Sequence, residues 1–152
     1  DYKSYYNYKD SDKIKYMQNL HYDPTTFDAD YDANGTEYSS FPLLCEDNVY
    51  DVLISDKAGV ECCSWINLIH PLDTYDGTLK TLFEGELKDR VVTAQDSANH
   101  TSSYAIDISG TDFANRMNLG YNDVYLSFPG NSEKNVDHII KLLNYIFDLG
   151  IE

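Results

Sequence analysis

From Val136 to Phe147 the apolar residues recur at the spacing of one helix face, and this stripe constrains the rest of the chain more than any other feature. Val136, Ile139, Ile140, Leu143, Ile146 and Phe147 fall three or four residues apart, while Lys134, Asp137, Lys141 and Asn144 fill the other face. Gly150 offers a C-terminal stop. A helix with one apolar stripe must bury it against a second layer. The expected fold is therefore a single α+β domain, an antiparallel sheet packed by this C-terminal amphipathic helix over residues 132–149.

The sheet is sought in residues 49–131, which read as mainly β. Asn48 to Ser55 and Gly59 to Leu68 are β-prone runs separated by Asp56-Lys57-Ala58-Gly59, so they predict a β-hairpin. Tyr104 to Ser109 alternates. So does Asp123 to Phe128, with Val124, Leu126 and Phe128 on one side and Tyr125 and Ser127 on the other, before Pro129-Gly130-Asn131 ends the strand. Thr78 to Thr93 supports two readings. Leu79, Leu82, Phe83 and Leu87 fit a helix, whereas Gly85 and Val91-Val92-Thr93 fit strands. Near the N-terminus, Ser11 or Asp12 caps a short helix within residues 1–20, with Ile14, Met17 and Leu20 on one face.

Charge divides the chain differently. Across 152 residues there are 26 Asp and Glu against 11 Lys and Arg, a net charge of −15. Residues 1–20 hold four Lys and three Asp, and residues 21–56 hold nine acidic residues with no Lys or Arg. So −9 of the −15 lies in one quarter of the sequence, together with Tyr22, Phe27, Tyr31, Tyr38, Phe41 and Tyr50. Rich also in Asn, Gly, Ser and Thr, residues 21–48 read as an irregular acidic segment within an acidic N-terminal third. The balance excludes gripping a nucleic acid through a basic surface, because such binding needs Lys and Arg against phosphates. Anionic membranes are disfavoured for the same reason. No apolar run reaches the roughly 18 residues of a membrane helix. The start at Asp1 without Met is read either as the mature end of an exported or tethered domain, the slightly favoured reading, or as a cloned fragment, and Asn34-Gly35-Thr36 and Asn99-His100-Thr101 are glycosylation sequons in a eukaryotic secretory setting.

Within the acidic stretch, Asp30-Tyr31-Asp32-Ala33-Asn34-Gly35 matches the first half of a calcium loop, D-x-D-x-N-G. Alternate oxygen side chains there converge on a hard cation. Asp30, Asp32 and Asn34 would be side-chain ligands, Thr36 would give its carbonyl, and Asp28 could assist. The resemblance to EF-hand and related loops covers six positions only. Phe41 stands where the bidentate Glu belongs, and no apolar periodicity brackets the loop.

Cys45, Cys62 and Cys63 are an odd set that cannot close fully within one chain. The favoured expectation is three reduced thiols, at least one of them a small core residue, with Cys45 paired to Cys62 or Cys63 as the alternative. On a strand Cys62 and Cys63 would point to opposite faces, which argues against a shared metal. The sequence carries no G-x-S-x-G elbow and no local cysteine-protease signature. His21, His70, His100 and His138 are not spaced as helix neighbours; His70 before Pro71 and His100 in Ser97 to Ser103 read as loop residues, and His138 as exposed.

These observations favour a small acidic, non-enzymatic protein whose carboxylates and Tyr rings occupy the basic cleft of a protein partner, a toxin or nucleic-acid enzyme. Immunity proteins and DNA-mimic inhibitors act in this way. The expected contacts are Asp28, Tyr31, Asp32, Glu37 and Tyr38, with Glu46 and Asp47 in outer support. The alternative is an extracellular calcium-binding module using Asp28, Asp30, Asp32, Asn34 and Thr36; a small hydrolase with a composite site comes third. Solubility alone is the plainest account of the charge.

Overall fold

The computed structural model describes residues 45–47, 49–129 and 135–151. The N-terminal helix expected over 11–20 and the half calcium loop lie outside the described residues. Within them the chain forms a four-stranded antiparallel sheet with four α-helices, a single α+β domain.

The order along the chain is β1 (Leu53–Ser55), α1 (Lys57–Trp65), a 3-10 turn at Leu72–Thr74, α2 (Gly77–Glu84), a second 3-10 turn at Lys88–Arg90, β2 (Val91–Gln95), β3 (Thr101–Asp107), α3 (Asp112–Met117), β4 (Tyr125–Ser127) and α4 (Val136–Phe147). In space the strands run β1-β4-β3-β2.

Pairing explains how the sheet divides the core. Ile54, Leu126, Ile106 and Val91 stand in one row across the four strands, and Leu53, Ser127, Ala105 and Val92 in the next. Because side chains alternate between faces, the rows serve opposite sides. The first row joins Leu79, Phe83, Phe128, Ile139 and Leu143 in the larger core, where α2 and α4 lie. The second joins Val60, Cys63, Leu68 and Cys45 in a smaller core beneath α1. So α4 buries its stripe as its periodicity requires, with Ile139 and Leu143 wholly inaccessible. Burial of each stabilises the fold by about 1.5–3 kcal/mol. The β4 expectation also holds in detail: Val124, Leu126 and Phe128 share the larger core, while Tyr125 packs on the α1 side.

The expected hairpin from Asn48 to Leu68 does not form; its second arm is helix α1. Asp56 is the reason. Its carboxylate accepts the Gly59 N–H at 2.8 Å, an N-cap that starts a helix where a turn was read. Val60, Cys63 and Ser64 then bury at i, i+3 and i+4. Gly59 serves close approach and not a turn, because a Cβ there would stand 2.6 Å from Ser55 Cβ on β1. The helix ends in a Schellman motif: Asn67 takes φ 57°, Asn67 N–H donates to Ser64 O at 3.2 Å, and Leu68 N–H donates to Cys63 O at 2.8 Å.

The two readings of Thr78 to Thr93 are both realised, one after the other. Leu79, Leu82 and Phe83 form the buried face of α2, which stops at Gly85, where a Cβ would meet Thr81 O at 2.8 Å. Val91-Val92-Thr93 then opens β2. On α4, Asn144 departs from its expected solvent face and is buried, its side chain bonded to the backbone of Ile151. The helix ends at Asp148 with φ 51°, before Gly150 takes its own positive φ of 68°.

Candidate functional site

An irregularity in the sheet borders a cleft among the described residues. Val92 faces Ala105 but the next residue, Thr93, faces Ser103, so Tyr104 is the extra residue of a β-bulge on β3. The bulge turns Tyr104 to the side that Ala105 already occupies, and both belong to the α1-side core. Tyr104 there lines an open cleft of about 450 Å³ with Glu46, Asn67, Ile69, His70, Pro71 and Asp96.

Each wall has a local cause. Asn67 is the left-handed residue that ends α1, and the connector after it is pinned to the end of β4 by the His70 N–H donating to Phe128 O at 2.7 Å and by an Ile69–Pro129 bridge. The His70 ring lies 6.4 Å from Tyr75, which packs edge-on to Phe83 and Phe128. Asp96 closes the β2–β3 hairpin: its Oδ1 accepts the Ala98 N–H at 2.8 Å and the His100 N–H at 3.0 Å, and Oδ2 lies 3.6 Å from His100 Nδ1. Glu46 is exposed, next to the buried Cys45.

The cleft is electronegative. Among the described residues that line it, two are carboxylates and none is Lys or Arg. Burial, then Asp96, then Asp73 raise the Tyr104 phenol above its usual value, so the hydroxyl keeps its proton. Tyr104 is only 3% exposed.

Of the residues predicted as partner contacts, Glu46 borders this cleft and Asp47 is exposed beside it. Asp28, Tyr31, Asp32, Glu37 and Tyr38 lie outside the described residues, as do Asp30, Asn34 and Thr36 of the half calcium loop. Among the described residues no group of three His, Cys, Asp or Glu side chains is placed to hold a metal ion. Cys45, Cys62 and Cys63 are buried; Cys62 and Cys63 lie on helix α1 and not on a strand. Burial, with Glu46 adding to it, pushes the Cys45 thiol up to about 12, and burial followed by the neighbouring Cys45 and Cys62 does the same to Cys63. Neither is a ready nucleophile. His138 is exposed and meets Asp51 Oδ2 at 2.9 Å. Among the described residues no helix is long and apolar enough to cross a membrane.

Asp96, His70 and Tyr104 were not singled out together from the sequence. The bulge and the return of Ile69-His70-Pro71 to the end of β4 bring them together, and no residue pattern marks either. The site belongs to a four-stranded antiparallel α+β domain with an acidic, aromatic cleft at the base of its β2–β3 hairpin. No protein-family model, no curated protein and no solved structure matches the chain.

Proposed function

We propose that this chain is a small acidic, non-enzymatic binding protein that blocks the basic surface of a protein partner, in the manner of an immunity protein or a DNA-mimic inhibitor. The supporting observation is continuity of charge. The stretch 21–56 carries nine acidic residues without a Lys or Arg, and Glu46 within it stands on the rim of a cleft that also contains Asp96. A field of one sign speeds encounter with a basic partner, and Tyr rings supply contact area with few rotors. Association with the captured partner is the test. Reversing charge at Asp28, Asp32 and Glu37 is expected to slow association about tenfold or more at low salt, with the difference closing as salt is added. Equal rates for the variant and the parent would overturn the reading.

The D-x-D-x-N-G sequence at Asp30 motivates a second reading, an extracellular calcium-binding module. A cation held only by the folded chain raises its melting temperature. A rise with millimolar calcium, reversed by chelator and absent in Asp30→Asn/Asp32→Asn, would support it; an unchanged melt removes it.

A further inference from the structure

We propose that Cys45 and Cys63 close a disulfide bond when the chain folds in an oxidising medium, tying the chain at Cys45 to helix α1 and leaving Cys62 as the remaining thiol. The two stand as separate thiols in the structure, so the bond is a change the chain undergoes on oxidation. The sequence leaves Cys45 with two candidate partners, and the structure chooses between them.

The choice follows from the helix. Successive residues on α1 point about 100° apart, so Cys62 and Cys63 leave it in different directions. Cys63, three residues after Val60, faces the smaller core, and Cys45 belongs to that same core. Both are buried, at 6% and 1% exposure, among only eight buried residues. Cys62 is as buried but belongs to neither core among the described residues. The two core thiols also act on each other. Cys45 raises Cys63 more than Cys62 does, although Cys62 is its neighbour in sequence. Of two close thiols, the second to ionise meets the charge of the first, and here the second is Cys63. A bond between Cys62 and Cys63 would need α1 to unwind, because side chains at i and i+1 do not face each other.

The oxidant is a small-molecule disulfide such as oxidised glutathione. One thiolate attacks a glutathione sulfur, forming a mixed disulfide and releasing one reduced glutathione. The second thiolate attacks the protein sulfur of that bond and expels the second glutathione. Two thiols lose two protons and two electrons, and one oxidised glutathione becomes two reduced ones. Burial sets the timing. In the folded chain both thiols hold their protons to about 12, so the native reduced form exchanges slowly. The bond therefore forms during folding, before the smaller core closes over it. It encloses residues 46–62, which hold β1 and the start of α1, and it stabilises the fold by restricting that loop in the unfolded chain.

The test uses the full chain, reduced and unfolded in urea, then refolded at pH 8 with reduced and oxidised glutathione. A sample is alkylated and digested without reductant. Mass spectrometry is expected to show one bond per chain, a loss of about 2 Da, with the alkyl label on Cys62 and the linked peptides joined through Cys45 and Cys63. The refolded chain should melt about 6–12 °C above the reduced one, and reduction in urea should abolish the difference. The native reduced chain in the same buffer should oxidise at least about tenfold more slowly than the chain in urea. Three labelled thiols after refolding, linkage through Cys62, a bridged chain that melts no higher than the reduced one, or native oxidation as fast as in urea would refute the proposal. Fragment spectra of the parent chain place the label, so the result does not depend on whether Cys45→Ala or Cys63→Ala folds.

Discussion

Asn144 holds Ile151 by both ends of its amide: Nδ2 donates to the Ile151 carbonyl at 2.9 Å, and Oδ1 accepts the Ile151 N–H at 3.2 Å. A side chain on α4 thus fixes the chain that leaves the helix, and it does so from a buried position, 5% exposed. Asn144→Leu removes both bonds and leaves the Ile151 backbone without these partners. It is expected to destabilise the domain by about 1–3 kcal/mol. Asn144→Asp keeps the acceptor but sets a buried carboxylate against the Ile151 carbonyl, and should destabilise at least as much. Chemical denaturation of the three proteins measures the order.

Gly59 gives a prediction opposite to helix propensity. Ala is the better helix former by up to about 1 kcal/mol. Here a Cβ at 59 would lie 2.6 Å from Ser55 Cβ and 2.7 Å from Ser55 Oγ, so α1 must move away from β1. Gly59→Ala is expected to cost about 1–3 kcal/mol. Adding Ser55→Gly should recover part of that loss, and a double-mutant cycle reads the coupling.

Alkaline pH should weaken the fold through its thiols. An unfolded cysteine loses its proton near 9.0, whereas Cys45 and Cys63 hold theirs to about 12 in the folded chain. With the folded pKa the higher one, the contribution is fully present below pH 9 and is lost as pH rises from 9 to 12. The slope is at most about 1.4 kcal/mol per pH unit for each thiol. Urea midpoints taken from pH 8 to 10.5 should fall more steeply for the parent than for Cys63→Ala. Equal slopes would show that these thiols ionise alike in both states.

Arg90 joins three elements. Its guanidinium donates to the Asp107 carbonyl at 3.0 Å and sits 4.9 Å from the centroid of the Phe147 ring at the end of α4. Arg90→Lys keeps the charge but not the planar fork. A loss of about 1 kcal/mol is expected, and Phe147→Leu should show a similar loss that does not add to it. Thermal melts of the two single variants and the double variant test this.

The α4 stripe and the β4 alternation were legible because each follows from a single period and a single apolar face. Residues 56–68 were misread for a local reason. Asp-Lys-Ala-Gly has the composition of a turn, yet its Asp caps a helix and its Gly answers to a contact with Ser55 across β1. Asn144 was assigned to solvent by its polarity, and its partner Ile151 lies beyond the end of the helix. The cleft was not legible at all. It depends on one inserted residue in β3 and on the return of Ile69-His70-Pro71 to β4, and both are relations between distant segments.

Asp96 performs two tasks with one carboxylate. It ties down the Ala98 and His100 amides that shape the hairpin, and it lends negative charge to the cleft. The two negative charges of that cleft therefore differ in how freely they can be lost. Glu46, exposed and held by no such amides, can change sign at little cost to the fold, whereas removing the Asp96 acceptor also loosens the β-hairpin. Whatever replaces Asp96 must still offer an acceptor to the Ala98 and His100 amides if the hairpin is to keep its shape.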